Sequence, residues 1–159
     1  MRKILTMFML LMISIVCSQT HSVIIGDSQV RYIAMNSNKA EALLRLTQSG
    51  IGLKKLNEKV KGYEVSKTVE NVFVCIGVND NYKYYEVGFM KNLKRVFPNA
   101  KTYMIKGSYG WGNTPRFKPE YYDNFKTTVL KNGIGKGDPH YNKRSYKLIG
   151  QEIDNIIEK

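Results

Sequence analysis

Apolar residues fall along this chain in two rhythms. Short apolar runs occur at Val23 to Ile25 and within Asn71 to Ile76, and Lys101 to Ile105 ends in a third. They predict strands, the first of them buried. Elsewhere apolar residues recur every three or four positions: Leu53, Leu56 and Val60; Val87, Met90, Leu93 and Val96; Leu148, Ile149, Ile153, Ile156 and Ile157. That spacing predicts amphipathic helices. The first ends at Gly62, the second spans Glu86 to Val96 before Pro98, and the third spans Lys143 to Ile157. A short helix is expected from Gln29 to Met35. Lys39 to Leu46 fits a helix or a strand. Pro119 is expected to open a further helix through Tyr122, Phe125 and Val129. Strands alternating with helices predict a single α/β domain, a mainly parallel sheet covered by helices on both faces.

The turns after the apolar runs carry the polar chemistry. Gly26-Asp27-Ser28 follows the first strand, Ser49-Gly50-Ile51-Gly52 the ambiguous segment, and Gly77-Val78-Asn79-Asp80 the run at Asn71 to Ile76. In a parallel sheet such turns share the carboxyl edge, where sites of these folds lie. Ser28, Gly50 and Asn79 are therefore expected to converge. Gly26 permits a sharp turn straight off a strand, and Ser28 then sits where strand passes to helix. Read alone, the triplet also fits a plain turn in which Asp27 or Ser28 caps the next helix.

Composition adds bounds. The chain has 159 residues and a formal net charge of +12, mostly lysine spread along its length. Arg2 and Lys3 precede an apolar run from Ile4 to Val16. That pattern predicts a secretory signal peptide over residues 1–18, too short for a comfortable membrane span. The expected location is secreted, periplasmic or otherwise extracytoplasmic, with no stable membrane insertion after cleavage. Cys17 raises a lipid anchor as an alternative, but no small residue stands just before it. Cys75, inside an apolar run, reads as an inert packed thiol. The charge fits a plain solvated basic surface, or attraction to an acidic polymer, a cell-wall glycan or an anionic membrane. Nucleic acid is disfavoured by the leader and by the lack of a binding motif. Two histidines and scattered carboxylates offer no metal cluster, and no cofactor motif is present.

Taken in order, Gly26-Asp27-Ser28, Gly50 with Leu56 six places on, Gly77-Val78-Asn79-Asp80 and Asp138-Pro139-His140 resemble the blocks of the SGNH hydrolase family, also called GDSL esterases and lipases. The resemblance runs over the domain at residues 19–159. It implies a flavodoxin-like three-layer sandwich and a serine esterase without cofactor. Ser28 would be the nucleophile and His140 the base, then the acid for the leaving alcohol. The N–H groups of Ser28 and Gly50 and the side-chain amide of Asn79 would form the oxyanion hole, with Gly52 competing for the place of Gly50.

One block departs from the family pattern. The family places an aspartate three residues before the histidine, and here that residue is Gly137, with Asp138 two before. Three outcomes fit: Asp138 reaches the ring through a rearranged loop, a backbone carbonyl orients it, or the site is inactive. The loop from Ser108 to Phe117 should hang over the same edge. Tyr109 and Trp111 are its candidates for substrate binding, with Tyr82, Tyr84 and Tyr85 opposite. The preferred substrate is a short acyl ester, such as an O-acetyl group on a polysaccharide. The competing readings are a secreted carbohydrate-binding protein that has lost catalysis, and a thioesterase or lysophospholipase.

Overall fold

A computed structural model describes residues 21–76, 79, 85–105, 125–128 and 140–159. The expected signal peptide, Cys17, Asp138, Tyr109 and Trp111 lie outside these residues. The elements run β1 (His21–Gly26), α1 (Gln29–Ala34), β2 (Ala40–Thr47), α2 (Leu53–Lys61), β3 (Val69–Cys75), α3 (Glu86–Val96), β4 (Lys101–Ile105), β5 (Phe125–Thr128) and α4 (Lys143–Ile157). The five strands lie in the order β2-β1-β3-β4-β5, and every neighbouring pair is parallel. The result is the expected α/β class with the flavodoxin-like strand order.

Side chains alternate across the sheet and build two cores. Val23 and Ile25 of β1, Val72 and Val74 of β3, and Met104 of β4 face one way. Leu53, Leu56 and Val60 of α2 and Phe89, Leu93 and Val96 of α3 cover them. Ile24, Phe73, Cys75, Tyr103 and Ile105 face the other way, under Val30 and Ile33 of α1 and Tyr146, Ile149 and Ile153 of α4. Burial on both faces explains why β1, β3 and β4 read as continuous apolar runs. Cys75 is a free, fully buried thiol, and burial pushes its pKa well above the ordinary value.

Two expectations meet a different or sharper outcome. Lys39 to Leu46 resolves as the strand β2, which lies at the edge of the sheet. The helix expected through Phe125 is replaced by β5, whose Phe125 to Thr128 pair with Thr102 to Ile105 of β4. The backbone donors and acceptors along β4 need a partner on that side, and sheet pairing outweighs a helical spacing of apolar residues. Among the described residues no helix is long and apolar enough to cross a membrane.

Helix α4 is held against α1 by contacts that matter for the site. A Cβ built on Gly150 would lie 2.1 Å from the Asn36 carbonyl oxygen, so only glycine permits this approach. Asp154 then clamps the loop after α1. Its carboxylate accepts from the N–H groups of Asn38 and Lys39, at 2.9 and 3.1 Å, and from the Ser37 hydroxyl.

Candidate active site

The order 2-1-3-4-5 reverses direction between β1 and β3, and the crevice at that switch is where such folds bind ligands. The backbone there is stitched tightly. The Asp27 N–H donates to the Cys75 carbonyl at 3.0 Å, and the Gln48 N–H to the Gly26 carbonyl at 3.0 Å. The ends of β1, β2 and β3 are thereby fixed to one another. Gly26 makes the turn at φ 136°, a conformation side chains rarely adopt.

Ser28 follows at the N-cap of α1 with φ −59° and ψ −23°, and its hydroxyl caps nothing. Asp27 serves the turn instead, accepting from the Gln29 N–H at 3.0 Å. The Ser28 hydroxyl is left to meet His140: Oγ lies 2.8 Å from Nε2, part-buried, across 112 positions of sequence. The plain-capping alternative for Ser28 is thus not what the structure has. His140 is aimed by its neighbours. Tyr141 is buried in the core beneath α1 and α4, edge-on to Tyr146 at 5.7 Å between ring centres. Asn142 caps α4 by accepting from the Ser145 N–H at 2.9 Å. The chain on the carboxyl side of the imidazole is therefore pinned twice. The other histidine, His21, opens β1 at the far end from Ser28 and pairs with Glu41 at 2.9 Å.

Asn79 lies beside the turn after β2. Its Nδ2 donates to the Ile51 carbonyl at 3.1 Å, and among the described residues the second N–H of the same amide has no acceptor. Gly50 turns at φ 70° with open space where a Cβ would stand. Among the described residues, nothing accepts from the N–H of Ser28 or of Gly50. Gly52 is the N-cap of α2, and its carbonyl accepts from the Leu56 N–H at 3.0 Å. Tyr85 is the N-cap of α3, packed against the core of the α2–α3 face, with Lys54 Nζ 5.8 Å from its ring centre.

The residues flanking Ser28 were not singled out as functional by their sequence. Asp27 and Gln29 are both fully buried. Among the described residues, Asp27 Oδ2 and both polar atoms of the Gln29 side chain have no hydrogen-bond partner. Burial pushes the Asp27 carboxyl from 3.8 up to about 6, against the opposing pull of the Gln29 N–H and nearby His140. A carboxyl raised on folding binds its proton more tightly in the folded state. Its contribution to stability is therefore full below pH 3.8 and lost as pH rises through about 6. The expected loss is about 2 kcal/mol between pH 4 and pH 7. Urea unfolding of wild type and Asp27→Asn at both pH values isolates it. Wild type should lose that much more than the variant, and equal pH slopes would contradict the buried carboxyl.

A cavity of about 630 Å³ adjoins His140, between α1 and the start of α4, walled by Tyr32, Met35, Asn36, Tyr141, Lys143 and Tyr146. Of these, only His140 was anticipated from sequence. The available signal was Tyr32 and Met35 standing off the buried stripe of α1 formed by Val30 and Ile33.

A scan against protein-family models finds no match to this chain, and a search of curated proteins finds none either. Solved structures do resemble it. One is a Streptococcus pneumoniae protein assigned as a platelet activating factor, at TM-score 0.57 and 14% identity, covering 90% of this chain and 86% of that one. Another is the C-terminal catalytic domain of peptidoglycan O-acetyltransferase A from Streptococcus pneumoniae, carrying a methylsulfonyl adduct. It matches at TM-score 0.54 and 15% identity, over 87% of this chain and 92% of that one. At these identities the likeness is one of fold: the chain shares the α/β architecture of both.

Proposed function

We propose that this protein is a serine acyl-ester hydrolase of the SGNH type, acting on a short acyl group such as O-acetyl on a polysaccharide. The observation that carries the reading is the 2.8 Å contact between Ser28 Oγ and His140 Nε2. A serine hydroxyl is a poor nucleophile until a base within hydrogen-bond reach takes its proton, and this contact supplies one. In the forward step Oγ attacks the ester carbonyl as the proton passes to Nε2. The carbonyl oxygen becomes an oxyanion, facing the N–H groups of Ser28 and Gly50 and the amide of Asn79. One such donor is worth about 3 to 4 kcal/mol in the transition state. His140 then gives the proton to the leaving alcohol, and the acyl group stays on Ser28. A water activated by the same imidazole releases the acid and restores the hydroxyl.

The likeness to a peptidoglycan O-acetyltransferase domain favours one further reading. An acyl-serine intermediate serves transfer as readily as hydrolysis when an alcohol replaces the water. The two differ only in the final acceptor, and product analysis with an added alcohol separates them.

A fluorophosphonate probe tests the acyl-enzyme reading, because it reacts only with an activated serine. Stoichiometric labelling of wild type, mapped to the peptide bearing Ser28 and absent in Ser28→Ala, is the expected result. A folded protein that resists the probe but retains glycan binding would instead be the non-catalytic carbohydrate-binding form of this fold.

A further inference from the structure

We infer that the cavity between α1 and the start of α4 seats the alcohol half of the substrate, and that this alcohol is a sugar carrying an anionic group. The inference rests on the acyl-enzyme reading of Ser28 and deepens it.

Direction comes first. The proton taken from Ser28 by His140 Nε2 must be handed to the leaving oxygen, so the alcohol departs on the imidazole side of the nucleophile. The cavity has His140 in its wall. The Gly50 turn and Asn79 come from the ends of β2 and β3 and contribute nothing to that wall. The acyl oxygen and the alcohol are thus drawn to different groups of residues.

Size comes next. A volume of about 630 Å³ lies within the ordinary range of roughly 300 to 1,000 Å³ for whole-ligand sites, and far exceeds the needs of a two-carbon acyl group.

The lining then selects the chemistry. Tyr32 is 51% exposed, and its ring lies 5.2 Å from that of Tyr146. Met35 is 81% exposed beside them. Such a surface packs against the C–H face of a sugar ring. Asn36 uses its amide N–H on the Tyr32 carbonyl, at 2.8 Å. Its own carbonyl oxygen is left to accept from a hydroxyl. Lys143 is part of the wall and forms no ion pair among the described residues. A long acyl chain would have no use for a lysine and an amide, whereas a carboxylated sugar satisfies both.

The test compares three esters on the full-length protein: 4-nitrophenyl acetate, an O-acetylated oligosaccharide containing uronic acid, and a neutral O-acetylated xylo-oligosaccharide. Wild type should prefer the acidic oligosaccharide to the neutral one. Tyr32→Ala should lower the ratio of kcat/KM for the acidic oligosaccharide over that for 4-nitrophenyl acetate about tenfold or more, chiefly through KM. Lys143→Gln should reduce the acidic-over-neutral preference about fivefold, and added salt should do the same to wild type. An unchanged ratio in Tyr32→Ala, or a parallel loss on all three esters, overturns the assignment. A wild-type preference for the neutral oligosaccharide over the acidic one also overturns it. Failure of wild type to show Ser28-dependent turnover of any ester overturns the acyl-enzyme reading itself, and the assignment with it.

Discussion

Ser28→Ala is expected to lower kcat for 4-nitrophenyl acetate by about 10⁵-fold or more, to the residual rate that binding and oxyanion donors alone sustain. The loss should be almost purely chemical. The Ser28 hydroxyl makes no capping bond and its backbone is already helical, so alanine fits the position. Urea unfolding should therefore place wild type and variant within about 1 kcal/mol of each other. His140→Ala should fall to a similar rate, and the double variant little further, because the two groups act as one unit. A Ser28→Ala protein that keeps a tenth of wild-type turnover would remove the serine from the chemistry altogether.

Gly26→Ala should have the largest effect on folding. The backbone there sits at φ 136°, and a Cβ would lie 1.8 Å from the Cys75 carbonyl oxygen. That oxygen is backbone, accepts from the Asp27 N–H, and belongs to the strand next to β1 in the sheet. Neither partner can swing aside as a side chain would. Accommodating the methyl means parting β1 from β3 or flipping the turn, and either breaks the sheet where it is most buried. The expected loss exceeds about 4 kcal/mol, most of the stability of an ordinary domain. Gly50→Ala is the contrast: its φ of 70° is also positive, but nothing crowds the position. That change should cost about 1 to 2 kcal/mol, the penalty of the backbone conformation alone. Midpoints of urea unfolding for the two variants measure the difference directly, and similar midpoints would show that the contact with Cys75 does not constrain the turn.

Those two glycines also show what could be read from sequence. Gly26 ends an apolar run directly and Gly50 lies in a polar glycine segment after another, and both patterns predict turns. Strands β1, β3 and β4 were legible because burial on both faces leaves short apolar runs, Val23 to Ile25, Val72 to Ile76 and Tyr103 to Ile105. The apolar stripes of α2, α3 and α4 were legible for the matching reason. Strand β2 was ambiguous because its Leu44 is 65% exposed at the sheet edge, which blurs either period. Strand β5 departs from expectation because Tyr122, Phe125 and Val129 fall at helical intervals, while what determines it is pairing along the edge of β4. At the site, Ser28 and His140 could be nominated separately, but their meeting depends on α4 lying against α1. That approach turns on Gly150, which looks in sequence like an ordinary weak point in a helix. The wall of Tyr32, Met35, Lys143 and Tyr146 exists only once those two helices have packed, so no local pattern announces it.

The helix that brings the imidazole also roofs one whole side of the sheet, over Ile24, Phe73 and Ile105. It follows every strand in chain order. On a ribosome, then, the serine emerges and its strand can pair while the residue that would activate it is still untranslated. A nascent chain at that stage is chemically silent, and it also displays a bare greasy surface of the kind chaperones hold. Docking of one helix covers that surface and brings the proposed base to the serine in the same step.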